Sequence, residues 1–182
     1  MSTPRSHSRL CLTGLLADAF SVLRLGVAFV ILWLGWTMGR EALPYVILLA
    51  TLGWFSDGID GILARHSSCP THLGNMDYPT DVMLTWSEFI YAALAGFISP
   101  ALLIGYTIVA VVVSLWFRRK AVLVLFMRGI DGIVIFFALR YAPLYMLPLF
   151  TWLVILGIIH RQRVREGIPR WFKELARIFH ID

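Results

Sequence analysis

The chain has 182 residues, 59% of them hydrophobic, with a mean hydropathy of +0.77 and a formal net charge of +5. That composition excludes an ordinary soluble domain and leaves no room for a second large unit. Two cysteines, Cys11 and Cys69, do not suggest a disulfide scaffold and read as free thiols.

In chain order, residues 1–18 form a polar juxtamembrane segment with Arg5 and Arg9, and 10–17 are expected along the membrane surface. Asp18 and Arg24 interrupt the first apolar stretch, which is too irregular for a signal peptide. The first span is predicted over 19–38 and the second over 43–65. The third runs from Asp81 to about Phe97, and Ser99-Pro100 marks a turn. The fourth, 101–117, ends at Arg118-Arg119-Lys120; the fifth is 121–139, and the sixth runs from Pro143 to Ile159. Stretches of these lengths meet the bilayer requirement of roughly 17–25 residues. The expected fold is an all-α integral membrane protein, with six transmembrane helices over residues 19–160. In the stretch 161–182, Trp171, Phe172, Leu175, Ile178 and Phe179 recur at helical spacing against Arg170, Lys173, Glu174 and Arg177. It reads as a cytoplasmic amphipathic helix in the anionic headgroup layer rather than as a nucleic-acid-binding tail.

Orientation follows from charge. With both termini in the cytoplasm, Arg5, Arg9, Arg65, Arg118–Lys120 and the C-terminal basic residues all lie inside. Only Arg40 and Arg140 are left outside. This is the positive-inside pattern.

The most informative stretch is Asp57 to Asp81. Four acids, Asp57, Asp60, Asp77 and Asp81, fall within twenty-five residues and are flanked by apolar runs. Asp57 and Asp60 share one helix face, and Asp77 and Asp81 share another. Pro70, Gly74 and the Ser/Thr residues between them read as a short connection, so the two pairs face each other across a helical hairpin. An acid at the centre of a membrane helix costs roughly 2.5–3.5 kcal/mol, so four together call for a cation. Oxygen ligands without His or Cys suit a hard ion such as Mg²⁺, Mn²⁺ or Ca²⁺, and two such ions would clamp a phosphoryl-type displacement. The plainer alternative is a set of helix-end acids solvated at the membrane surface.

Asp57-x2-Asp60-Gly61-x2-Ala64-Arg65, followed by Asp77-x3-Asp81, resembles the signature of the CDP-alcohol phosphatidyltransferase family. Gly74 departs from it by standing one position late. The resemblance implies that Asp57, Asp60, Asp77 and Asp81 hold two Mg²⁺ or Mn²⁺ ions and that Asp81 also takes the acceptor's proton. It implies that Gly61, Ala64 and Arg65 contact the CDP-lipid, with Thr71 as a further phosphate contact. Asp18-x2-Ser21-x2-Arg24 is similar to a shorter family motif that helps bind the CDP-lipid, with Asp and Ser in place of Asn and Thr. Its alternative is a helix N-cap followed by a snorkelling arginine. The implied reaction moves the phosphatidyl group of CDP-diacylglycerol to an alcohol and releases CMP. A homodimer and a bacterial inner or plasma membrane are implied in the same way.

Depth adds a separate expectation. Asp57 and Asp60 lie about 8–12 Å in from the cytoplasmic end of their span, at about 1.5 Å per residue. Arg24 and Arg128 fall at a similar depth, which suggests one belt around a cavity open to the cytoplasm. Arg128, with Arg118 or Arg119, would bind an anionic group on the acceptor; alternatively, Arg128 pairs with Asp131 three residues on. Glu88, seven residues after Asp81, shares its face and supports the metal site or a neighbouring helix. The basic residues favour glycerol 3-phosphate as acceptor and resemble a phosphatidylglycerophosphate synthase. However, Phe117-Arg118-Arg119-Lys120-Ala121 keeps the charge of that subtype's G-K-x-K-T segment without its pattern. Inositol phosphate, serine and other alcohols stay open. A membrane prenyltransferase would show a second Asp-rich motif and more spans, and a divalent-cation carrier would not need Ala64-Arg65.

Overall fold

The computed structural model describes the backbone of residues 12–66 and 77–159 and, apart from 12–17, 57, 58, 60–66, 77, 156 and 159, their side chains. The regular elements of the described residues are all helices: α1 (Leu12–Met38), α2 (Leu43–His66), α3 (Asp77–Leu94), α4 (Pro100–Phe117), α5 (Lys120–Tyr141) and α6 (Leu147–Ile159). Short 3₁₀ turns, Gly39–Ala42 and Pro143–Met146, precede α2 and α6. Prolines punctuate this order. Pro44, Pro79, Pro100 and Pro148 each stand in the first turn of a helix, where a missing N–H leaves no hydrogen bond unmade. Three helical stretches among the described residues are long and apolar enough to cross a bilayer: Asp18–Ser56, Pro100–Phe117 and Lys120–Tyr141. Pro143–Ile155 is a shorter apolar stretch.

Some boundaries differ from expectation. The third helix already runs from Asp77, ahead of Asp81. Helix α1 covers Leu12–Met38, and its stretch long and apolar enough to cross a membrane starts at Asp18, beside the expected residue 19. Asp18 and Arg24 do not interrupt it, because a helix tolerates charge when the side chains point inward, and Arg24 is fully buried. The sixth helix starts at Leu147, because Pro143 opens a 3₁₀ turn instead. The expected C-terminal amphipathic helix and Thr71 lie outside the described residues.

Helix α3 is the axis of the bundle. It contributes Leu84 and Tyr91, with Ala95 just past its end, to a core shared with α1, α2, α5 and α6, and Phe89 and Ala92 to a second core against α5. Between apolar helices in lipid, close packing and polar contacts hold the assembly together, since tails are as apolar as the side chains. Glycine permits that closeness. A Cβ at Gly35 of α1 would meet Tyr91 Cδ2 at 3.0 Å, and one at Gly53 of α2 would collide with Leu84. Helix α4 is peripheral, with Ala110 its one buried residue. Trp86 Nε1 donates to Thr107 Oγ1 (3.3 Å), and the Tyr106 hydroxyl donates to the Phe126 carbonyl (2.8 Å), which ties α4 to α3 and α5.

These contacts fix direction. Arg24 meets Asp81 and Gly35 faces Tyr91 and Leu94, so α1 and α3 run the same way. Phe89 packs with Ile130, and Phe97 stacks on Phe137 at 5.4 Å, so α5 runs with α3 as well. On α2, Gly53 stands at the level of Leu84, and Thr51 lies at the level of Glu88. Numbers rise on one helix as they fall on the other, so α2 is antiparallel to α3.

Candidate active site

The register just described sets one end of the bundle apart. From the Gly53–Leu84 level, one turn along α2 reaches residue 57, and one turn back along α3 reaches Asp81. The helical backbone therefore carries the two halves of the acid motif to the same end, on neighbouring antiparallel helices. Of the four predicted ligands, only the Asp81 side chain belongs to the described residues.

Asp81 pairs with Arg24, which α1 delivers fully buried behind it, while the Asp81 side chain keeps 30% of its surface exposed. An arginine buried among apolar helices is tolerable when a carboxylate neutralises it. Asp81 also has a side turned toward the space between α2, α3, α5 and α6.

That space is a cavity of ≈ 220 Å³. Helix α3 supplies Asp81 and Thr85, α5 supplies Arg128 and Asp131, α2 supplies Gly53 and Trp54, and α6 closes it with Trp152. Phe55 stacks on Trp152, with ring centroids 3.8 Å apart and planes at 15°, and so joins α2 to α6 at the wall. Arg128 Nη1 donates to Asp131 Oδ2 at 2.6 Å. Asp131 is buried, whereas the Arg128 side chain is 62% exposed, so a buried carboxylate anchors a largely exposed side chain. Lys120 Nζ lies 5.4 Å from the Tyr78 ring, which brings the turn carrying Arg118 and Arg119 beside the start of α3. Both of those arginines are exposed.

The predicted residues therefore divide. Asp81 and Arg128 line one cavity, and the Arg128–Asp131 pair exists alongside that exposure. Asp57, Asp60, Gly61, Ala64 and Arg65 stand in the last three turns of α2, and Asp77 opens α3; their side chains lie outside the description. Ser21 is buried and Asp18 half-buried on α1, on the turns before Arg24. Sequence reasoning did not pair Arg24 with Asp81, and it missed Thr85, Trp54 and Trp152 as cavity lining. The spacing of residues 18, 21 and 24 groups Arg24 with Ser21 and Asp18 on neighbouring turns but does not name Asp81 as its partner.

A family model described as CDP-alcohol phosphatidyltransferase matches residues 14–164. No curated protein and no solved structure matches the chain.

Proposed function

The chain belongs to the CDP-alcohol phosphatidyltransferase family, and from that premise we propose that it transfers the phosphatidyl group of CDP-diacylglycerol to glycerol 3-phosphate with release of CMP. Phosphatidyl transfer from a CDP-alcohol to an alcohol is the reaction of the family, which is neither prenyl transfer nor cation carriage. The choice of a phosphate-bearing acceptor is carried by one observation: an exposed Arg128, anchored by Asp131, lines the same cavity as Asp81. A guanidinium with free N–H groups suits a phosphate.

In this reading, Asp81 accepts the proton of the acceptor hydroxyl. The alkoxide oxygen forms a bond to the lipid-side phosphorus as the bond from that phosphorus to CMP breaks, and CMP leaves with the electron pair. Asp81 then returns its proton to solvent. Arg24 holds the Asp81 carboxylate aimed at the cavity, while Arg128, with Arg118 and Arg119 near the mouth, orients the acceptor phosphate. Gly61, Ala64, Arg65 and Thr71, with Asp18 and Ser21 on α1, contact the CDP-lipid. Asp57, Asp60, Asp77 and Asp81 form an oxygen-only donor set suited to Mg²⁺ or Mn²⁺, whose charge when bound offsets that of the diphosphate. All six helices cross a bacterial inner membrane in this reading, with both termini cytoplasmic. The site then sits where a lipid and a water-soluble alcohol can meet, in a chain that pairs with a second copy.

The test is CMP release from CDP-diacylglycerol by the full chain in detergent, against a panel of alcohols. Glycerol 3-phosphate is expected to turn over fastest, with activity lost in a chelator and restored by Mg²⁺ or Mn²⁺. Preferred turnover of serine or inositol phosphate would overturn the acceptor, and activity undiminished by the chelator would overturn the metal set.

A further inference from the structure

Beneath the cavity lies a second and much smaller one, of ≈ 20 Å³, lined by Thr51 and Trp54 of α2, Glu88 of α3 and Asp131 of α5. Glu88 is 1% exposed, and its Oε1 has no hydrogen-bond partner among the described residues. Asp131 has the same deficit on one side only: Oδ2 holds Arg128 at 2.6 Å, while Oδ1 is buried without a partner among the described residues. Asp131 therefore lines both cavities, one with Arg128 and the other with Glu88.

Two buried carboxyl oxygens need donors, because an unmade hydrogen bond leaves the full desolvation penalty standing. The lining does not supply them. The Thr51 hydroxyl donates its proton to the Ile47 carbonyl at 2.7 Å, and Trp54 bonds neither oxygen. A water needs about 10–15 Å³ of such space and two to four polar partners; this chamber meets both conditions. One water donating a hydrogen to each carboxyl satisfies both at once.

We infer that Glu88 is a positioning residue: through one ordered water in this lower chamber it fixes Asp131, and Asp131 in turn aims Arg128 at the acceptor. The inference rests on the reading of Arg128 given above. The Arg128 side chain is long and mostly exposed, and Asp131 is the partner that gives it a direction. Loosening Asp131 would let the guanidinium wander, which weakens acceptor binding before it slows chemistry.

The experiment is a double-mutant cycle on the full chain, following CMP release with glycerol 3-phosphate varied. Glu88→Leu removes both oxygens. It is expected to raise the acceptor KM about five- to tenfold, in the range of coupling between contacting residues. The KM for CDP-diacylglycerol should stay level, and Glu88→Gln, which keeps a side-chain oxygen, should recover most of the loss. On an Arg128→Ala background the same Glu88→Leu change should add less than about twofold, because the residue it acts through is gone. A full multiplicative effect on that background would overturn the relay. If Arg128→Ala itself leaves the acceptor KM unchanged, the reading of Arg128 has failed and the relay falls with it. Should Glu88→Leu fail to fold, the decision passes to Glu88→Gln and to a solvent-resolving map of the full chain. Density for a water between Glu88 and Asp131 supports the assignment; direct contact between the two carboxyls overturns it.

Discussion

The two ends of the bundle each engage arginine, but they do so differently. At one end, Arg24 and Arg128 meet the carboxylates of Asp81 and Asp131 around a cavity. At the other, Arg40 donates from Nε to the Ala95 carbonyl (2.9 Å) and from Nη2 to the Gly96 carbonyl (2.7 Å), and sits 5.4 Å over the Phe97 ring. Carbonyl oxygens at the end of α3 carry only the partial negative charge of a helix C-terminus; they need a cap, not a counter-ion. Carboxylates carry whole charges whose burial must be justified by something else. The difference teaches how to separate a structural arginine from a functional one in a membrane chain. The structural one seals a backbone end, and the one proposed as functional pairs with an acid that lines a cavity.

The contrast breaks most sharply at Asp81. Asp81→Asn keeps the shape and removes the proton acceptor, so CMP release should fall about 10²- to 10⁴-fold, the usual contribution of a general base, with the fold intact by circular dichroism. Retained activity would reduce the polar end to a second structural clasp. Arg24→Met comes next. Removing one member of a buried pair costs about 3–5 kcal/mol, and the partial exposure of Asp81 puts this one near the lower figure, about 3 kcal/mol. Thermal unfolding should show a lower Tm, and CMP release should drop as Asp81 loses its orientation. Arg128→Ala is smaller: loss of a charged hydrogen bond to the acceptor should raise the acceptor KM about tenfold or more, with the KM for CDP-diacylglycerol unmoved.

What could be read from sequence was local. The turn at Ser99-Pro100 and the helix after it follow from the proline, and the helical spacing that puts Asp57 with Asp60 and Asp77 with Asp81 matches the helical backbone of α2 and α3. What could not be read was contact across the bundle. Arg24 and Asp81 are 57 residues apart, and Arg40 reaches a carbonyl 55 residues on. Nothing in either local pattern names its partner. Arg40 was read only as a charge left outside, while its role depends on how α3 ends. Helix α1 carries on through Asp18 and Arg24 for a related reason: hydropathy counts both as interruptions, whereas the folded chain turns Arg24 inward. Arg128 shows the limit from the other side. Binding the acceptor and pairing with Asp131 read as alternatives in the sequence, yet the paired Arg128 side chain stays 62% exposed and lines the cavity, so the two are compatible.

The smallest expected effect belongs to the opposite end. Helix α3 stops through Gly96, whose φ of +69° only glycine adopts without strain, and the Phe97 N–H bonds back to the Ala92 carbonyl at 2.9 Å. Arg40→Ala removes the two side-chain bonds to Ala95 and Gly96 but leaves that backbone turn in place, and water can reach the freed carbonyls because Arg40 is exposed. The loss should therefore be about 1 kcal/mol, read as a small fall in Tm, with kcat and both KM values unchanged. A kinetic defect in Arg40→Ala would mean that the two ends are coupled through α3. Sealing a helix end and serving the site would then be one task rather than two.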